Sequence, residues 1–113
     1  MGVFKDWKEG ADNRDAERMI ACLHEAYCFV RHQSDTSLNR AEMSEMLRGF
    51  MSSDAVVIRS QRCLYENDDV LVEQSVMDFA DGSTEAILSC HHKKDGLLVR
   101  TETGATLVTR PDA

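Results

Sequence analysis

Residues 89–96, SCHHKKDG, set a cysteine directly before two histidines. Thiolate and imidazole are the side chains that most often hold zinc or move protons near neutral pH. A structural zinc site needs its ligands in closely spaced pairs on one surface. The chain has no C-x-x-C and no H-x-x-x-H, and in an extended strand His91 and His92 point to opposite faces, so they share an ion only if a bulge intervenes. No metal and no cofactor is therefore expected. Acid–base chemistry remains: a buried carboxylate and a nearby imidazole share a proton, because burial raises the acid and the acid raises the imidazole.

Which carboxylate meets which imidazole depends on strand register. Asp81-Gly82 and Asp95-Gly96 separate three strand-like runs, VLVEQSVMDF, STEAILSCHHK and LLVRTETGATLVTR, and Asp-Gly is a dipeptide of tight hairpins that need positive φ. A turn on Asp95-Gly96 pairs Lys94 with Leu97, His92 with Val99, Cys90 with Thr101 and Leu88 with Thr103. A turn on Asp81-Gly82 pairs Phe79 with Thr84, Met77 with Ala86, Glu73 with Cys90 and Leu71 with His92. The two hairpins agree on the faces. One carries Leu71, Met77, Phe79, Leu88, Val99 and Leu107 around a polar island of Glu73, Cys90, His92 and Thr101. The other carries Val70, Val72, Val76 and Ile87 with Gln74, Ser89, His91, Arg100 and Glu102. The larger, more irregular apolar side chains assign the first face to the helices. Glu73 and His92 are then the candidate catalytic pair, and solvated residues at a sheet margin are the plain alternative. A bulge in either hairpin would move the polar site to Gln74, His91, Arg100 and Glu102.

The elements that cover this face lie upstream. From Asp12 to about Gln33, Met19, Ile20, Leu23, Ala26, Tyr27 and Val30 recur at spacings of three and four, which predicts one helix. His24 and Tyr27 lie on or beside its apolar stripe, where their polar ends reach a cavity between helix and sheet. A second helix starts at Asn39, with Glu42 placed to complete a capping box; Met43, Met46, Leu47 and Phe50 share one face and MSSDA closes it. The expected ligand-binding set is His24, Tyr27, Glu73, His92 and Thr101. Val3, Phe4 and Trp7 are too many large apolar residues for a solvated tail, so residues 1–11 are expected to pack as a short helix or arm, with residues 110–113 as a C-terminal tail.

At 113 residues, with 42% hydrophobic and 29% charged residues, the chain has the size and composition of one globular domain. Its net charge of -7, from 20 acids against 13 bases, opposes a phosphate backbone and argues against nucleic acid as a partner. No apolar run approaches the roughly 20 residues that span a bilayer, and MGVFKDWKEG lacks the apolar region of a signal peptide. A cytoplasmic protein without a membrane partner is expected, its four cysteines reduced.

Helices followed by a run of antiparallel strands make an α+β pattern. The segments FMSSDAVV, VMDFADGSTEAI and KKDGLLVRTETGATLV, in this order and spacing, resemble the nuclear transport factor 2-like superfamily, and within it the SnoaL-like small proteins, over residues 12–109. The resemblance implies a cone-like fold, in which a strongly curved, mainly antiparallel sheet wraps around helices and leaves a pocket, commonly in a dimer packed through the sheets. It also implies a pocket role for Tyr27, which stands eight residues before Asp35, a spacing similar to that of the isomerases' oxyanion-binding tyrosine and helix-end Asp. Where isomerase-like members carry their aspartate base, this chain has Ile58 and Arg59. The first expectation is thus a binder of a small apolar or amphipathic organic molecule. The alternatives are a cofactor-independent lyase, isomerase or cyclase using Glu73 and His92, and a protein-interaction module with a filled cavity. A homodimer through the face bearing Val70, Val72, Val76 and Ile87 is expected, because those side chains would otherwise leave an apolar patch.

Overall fold

The computed structural model describes residues 2–109, and six strands form its single sheet. They are β1 (Leu23–Arg31), β2 (Thr36–Asn39), β3 (Val57–Glu66), β4 (Val70–Asp78), β5 (Thr84–Lys94) and β6 (Leu97–Leu107), in the spatial order β2-β1-β6-β5-β4-β3. Only the β1–β6 pair is parallel, so the sheet is mixed but mainly antiparallel. Helices α1 (Phe4–Asp12), α2 (Ala16–Ile20) and α3 (Arg40–Ser52) supply the other half of the core. The fold is α+β, as expected.

Helix α3 starts where its capping box places it. Asn39 Oδ1 accepts from the Glu42 amide and Glu42 Oε1 accepts from the Asn39 amide, both at 2.9 Å, satisfying two donors that the first turn leaves free. Met43, Leu47 and Met51 are buried, while Met46 and Phe50 are partly buried beside them. The other end is held by Arg14, whose guanidinium donates to the Phe50, Met51 and Ser53 carbonyls at 3.2 Å each and also to Val56. These bonds serve the unpaired carbonyls of the last turn.

The N-terminal segment forms α1, clamped at both ends. The Val3 amide donates to Glu66 Oε2 at 2.8 Å, and buried Lys93 donates to the same oxygen at 2.9 Å. Gly10 lets α1 meet α2: a Cβ there would stand 2.7 Å from Met19 Cγ and 3.1 Å from the Met19 amide nitrogen. Together these contacts bury Trp7. Residues 110–113, expected as a tail, lie outside the described residues.

Two expectations are corrected. The single helix over 12–33 does not form: helix stops at Ile20 and β1 begins at Leu23. Its period of four has another source. Between the pairs Leu23–Leu98 and Cys28–Arg100, four residues of β1 oppose Val99 alone, and this irregularity brings Leu23 and Tyr27, four apart, into the same core.

The second correction concerns register. The β5–β6 turn has both central residues left-handed, Asp95 at φ 55° and Gly96 at φ 78°, and it pairs Lys94 with Leu97 as expected. Val99 is then an extra residue, so His92 pairs with Arg100 and Cys90 with Glu102. The β4–β5 connection spans Phe79 to Ser83 between the paired Asp78 and Thr84, because Asp81 Oδ1 accepts from the Ser83 amide and hydroxyl and draws the chain into a wider turn. Glu73 consequently pairs with Ser89, and Leu71 with His91. The two one-residue shifts add to two on β6, which restores its facing because side chains alternate along a strand, and leave only β5 turned over. Ile87, Ser89 and His91 face the helices, whereas Leu88, Cys90 and His92 face outward.

Candidate functional site

Glu73 projects from the middle of β4 and is 4% exposed. A carboxylate so far from water persists only if donors replace its hydration. Three elements provide them: Trp7 Nε1 of α1 donates to Oε2 at 2.9 Å, Gln61 Nε2 of β3 donates to Oε1 at 2.9 Å, and His91 Nε2 of β5 bonds to Oε2. His91 is 2% exposed, and its Nδ1 lies 2.7 Å from Thr101 Oγ1 of β6. The Trp7 ring meets the imidazole edge-on, with centroids 5.8 Å apart. Both imidazole nitrogens are therefore engaged.

The electrostatics of Glu73 are a contest with a clear winner. Burial pushes its pKa up, but hydrogen bonding and charge attraction from His91, with the bonds from Gln61 and Trp7, outweigh burial and hold it below the ordinary value of 4.5. A folded value below the unfolded one makes the ionised carboxylate a source of stability above that pH, lost as pH falls through the folded value. Ionised Glu73 also fixes the proton on His91 Nε2, which must donate to it.

This cluster lies at one end of a cavity of about 130 Å³ between α3 and the inner sheet face. Met43, Met46, Leu47 and Phe50 line it from the helix side, while Glu73, Ser75, Ser89 and Thr103 line it from the sheet. Arg31 borders the cavity too, with its charge matched by buried Glu85 at 2.9 Å. Gln61 Oε1 is a buried acceptor with no hydrogen-bond partner among the described residues.

Of the residues expected to bind a ligand, Glu73 and Thr101 line this cavity; His24, Tyr27 and His92 do not. His92 sits on the outer face, its side chain 49% exposed and 4.0 Å from Glu102, so the expected Glu73–His92 pair is replaced by Glu73–His91. The bulge at Val99 is the cause. Gln74, Arg100 and Glu102, the set that a bulge was expected to bring inward, stay outside because β4 and β6 keep their expected facing. His24 accepts from the Ala26 amide at 3.0 Å and faces Asp95 at 3.8 Å beside the β5–β6 turn. Tyr27 is buried in the core instead of lining the pocket, and its hydroxyl lies within normal hydrogen-bond geometry of no polar atom among the described residues. Burial drives that phenol well above its ordinary pKa, opposed by the Thr101 hydroxyl, which is itself committed to His91. Trp7 and Gln61 escaped the sequence reading, since nothing in their spacing links them to Glu73. No group of three or more His, Cys, Asp or Glu among the described residues is placed to hold a metal ion, and no helix there is long and apolar enough to cross a membrane.

No family model matches the chain, and no curated protein matches it. Solved structures do. An NTF2-like protein of unknown function from Mesorhizobium loti superposes with a TM-score of 0.79 at 9% identity, covering 92% of this chain and 88% of its own. A SnoaL-like protein of unknown function from Burkholderia thailandensis gives 0.70 at 11% identity, over 90% and 89% of the two chains. A protein with a ketosteroid isomerase-like fold from Catenulispora acidiphila, crystallised with trimethylamine, gives 0.70 at 9% identity, over 90% and 83%. The chain has the nuclear transport factor 2-like fold, as its sequence resemblance implied.

The two adjacent histidines should respond oppositely to truncation. His91→Leu removes the main partner of a buried carboxylate and should lower unfolding stability by on the order of 3 kcal/mol, while His92→Leu should change it by less than about 0.5 kcal/mol. Urea unfolding of both variants checks this. Equal losses would place both rings in the same environment and contradict the register.

Proposed function

We propose that this protein binds a small apolar or amphipathic organic molecule in the cavity between α3 and the inner sheet face. The observation that carries the reading is a space of about 130 Å³ with methionine and phenylalanine side chains on one side and a buried carboxylate cluster on the other. An engineered apolar cavity of about 150 Å³ takes benzene, so the space suits one ring or a short chain. The trimethylamine held by the Catenulispora neighbour supports small-molecule binding on this scaffold.

The alternatives ask for features that run the other way. An interaction module needs its cavity filled by side chains. A lyase, isomerase or cyclase needs a base whose accepting atom is open to the substrate, but both Glu73 oxygens and both His91 nitrogens are engaged. His92, the partner the sequence suggested, faces solvent.

Filling the cavity tests this directly. Ser89→Leu places three added carbons in the space while removing none of the Glu73 donors, and should weaken binding of a small aromatic probe such as indole by about tenfold or more. Calorimetric titration of both proteins, with circular dichroism to confirm the fold, measures it. Unchanged affinity in the folded variant would move the probe elsewhere.

We also propose a homodimer packed through the outer sheet face. Ile87, expected there, has turned inward, and Leu88, 52% exposed, takes its place beside Val70, Val72 and Val76. An apolar group of this kind favours a protein partner over water. Light scattering at micromolar concentration should give twice the chain mass for the native protein and the single mass for Val72→Lys. A monomeric native protein, or a variant of unchanged mass, contradicts the dimer.

A further inference from the structure

Resting on that small-molecule reading, we infer that the ligand is an apolar amine, a compact hydrocarbon carrying a protonated nitrogen with at least one N–H. The polar atoms around the cavity are unequally matched. The nitrogen donors are largely committed: Trp7 Nε1 and Gln61 Nε2 to Glu73, both His91 nitrogens to Glu73 and Thr101, and Arg31 Nη2 to Glu85. The Ser75, Ser89 and Thr103 hydroxyls that also line the cavity can donate or accept, so the atom that demands one kind of partner is an acceptor. Gln61 Oε1 is buried without a partner, and reversing its amide would turn that oxygen against the Glu73 carboxylate, so the orientation is fixed. A buried acceptor left unpaired is destabilising, and a ligand N–H relieves it.

Charge points the same way. Arg31 is paired with Glu85, and the Glu73 carboxylate, whose partner is the His91 imidazole, is the anion next to Gln61. A carboxylate or phosphate ligand would meet that charge at close range with no free cation to receive it. The rings of Trp7, Phe29, Phe50 and Phe79 also line the space, and aromatic faces attract cations while accepting hydrocarbon. A ligand satisfying all three features has an ammonium near Gln61 and Glu73 and an apolar body against α3.

Three probes of one shape separate the head groups: benzylamine, benzyl alcohol and benzoate, titrated calorimetrically into the intact protein at neutral pH. The expected order is benzylamine tighter than benzyl alcohol by about tenfold, with benzoate weaker than both. In Glu73→Gln the advantage of benzylamine over benzyl alcohol should fall below about twofold, and a variant that fails to fold leaves the native series decisive by itself. Benzyl alcohol or benzoate binding as tightly as the amine overturns the inference and leaves the small-molecule reading standing. An amine preference that persists in folded Glu73→Gln overturns the placement at Glu73. Failure of all three to bind overturns the inference and the reading together.

Discussion

The constraint on which the site depends is the solvation of one carboxylate. Glu73 is far from water in the middle of a strand, and an unpartnered charge there would cost several kcal/mol. Its donors come from α1, β3 and β5, and His91 passes the connection on to Thr101 in β6. One ion thus ties a helix distant in sequence to the strands at the centre of the sheet. The clamp on Glu66 from Val3 and Lys93 has a clear purpose in this light: it holds α1 where the Trp7 indole can reach the carboxylate.

The same bonds that make the charge tolerable make it a poor base. Proton abstraction also needs an accepting atom open to the substrate, and here both Glu73 oxygens are held by Trp7, Gln61 and His91. A fixed, ionised carboxylate beside an apolar cavity is suited to recognition, because it discriminates between head groups without needing to change protonation state. The α3 side chains that line the cavity, mainly methionine and phenylalanine, share it with Ile58, Met77 and Ile87 of the sheet and with the short polar side chains of Ser75, Ser89 and Thr103.

Much of this was legible in the sequence, and the failures are instructive. Asn39 and Glu42 located α3 to the residue, because a capping box is a local device with local causes. The fold followed from the order of segments, and Glu73 and Thr101 were correctly placed on the helix-facing side. His92 was not, and the agreement between the two hairpins concealed the error. A wide turn held by Asp81 shifted β5 one way against β4, and Val99 shifted β6 one way against β5, so both outer strands kept their expected facing while the middle strand inverted. Agreement on faces between two hairpins tests only whether the sum of their shifts is even, and is blind to two shifts of one residue each. The helix expected over 12–33 failed for a related reason, since irregular pairing in β1 spaces Leu23 and Tyr27 as a helix would. Trp7 and Gln61 were out of reach because their link to Glu73 exists only after the chain has folded.

The central claim is that Glu73 is ionised and held so by its donors. Carbon-13 NMR of the Glu73 side-chain carboxyl, followed as pH is lowered on the intact protein, measures this directly. The account predicts a titration midpoint below the ordinary glutamate value of 4.5 and its return toward or above that value in His91→Leu, where burial loses its strongest opponent. A midpoint in the native protein at or above the ordinary value would contradict the account, because burial would then dominate and Glu73 would be a base rather than an anchor.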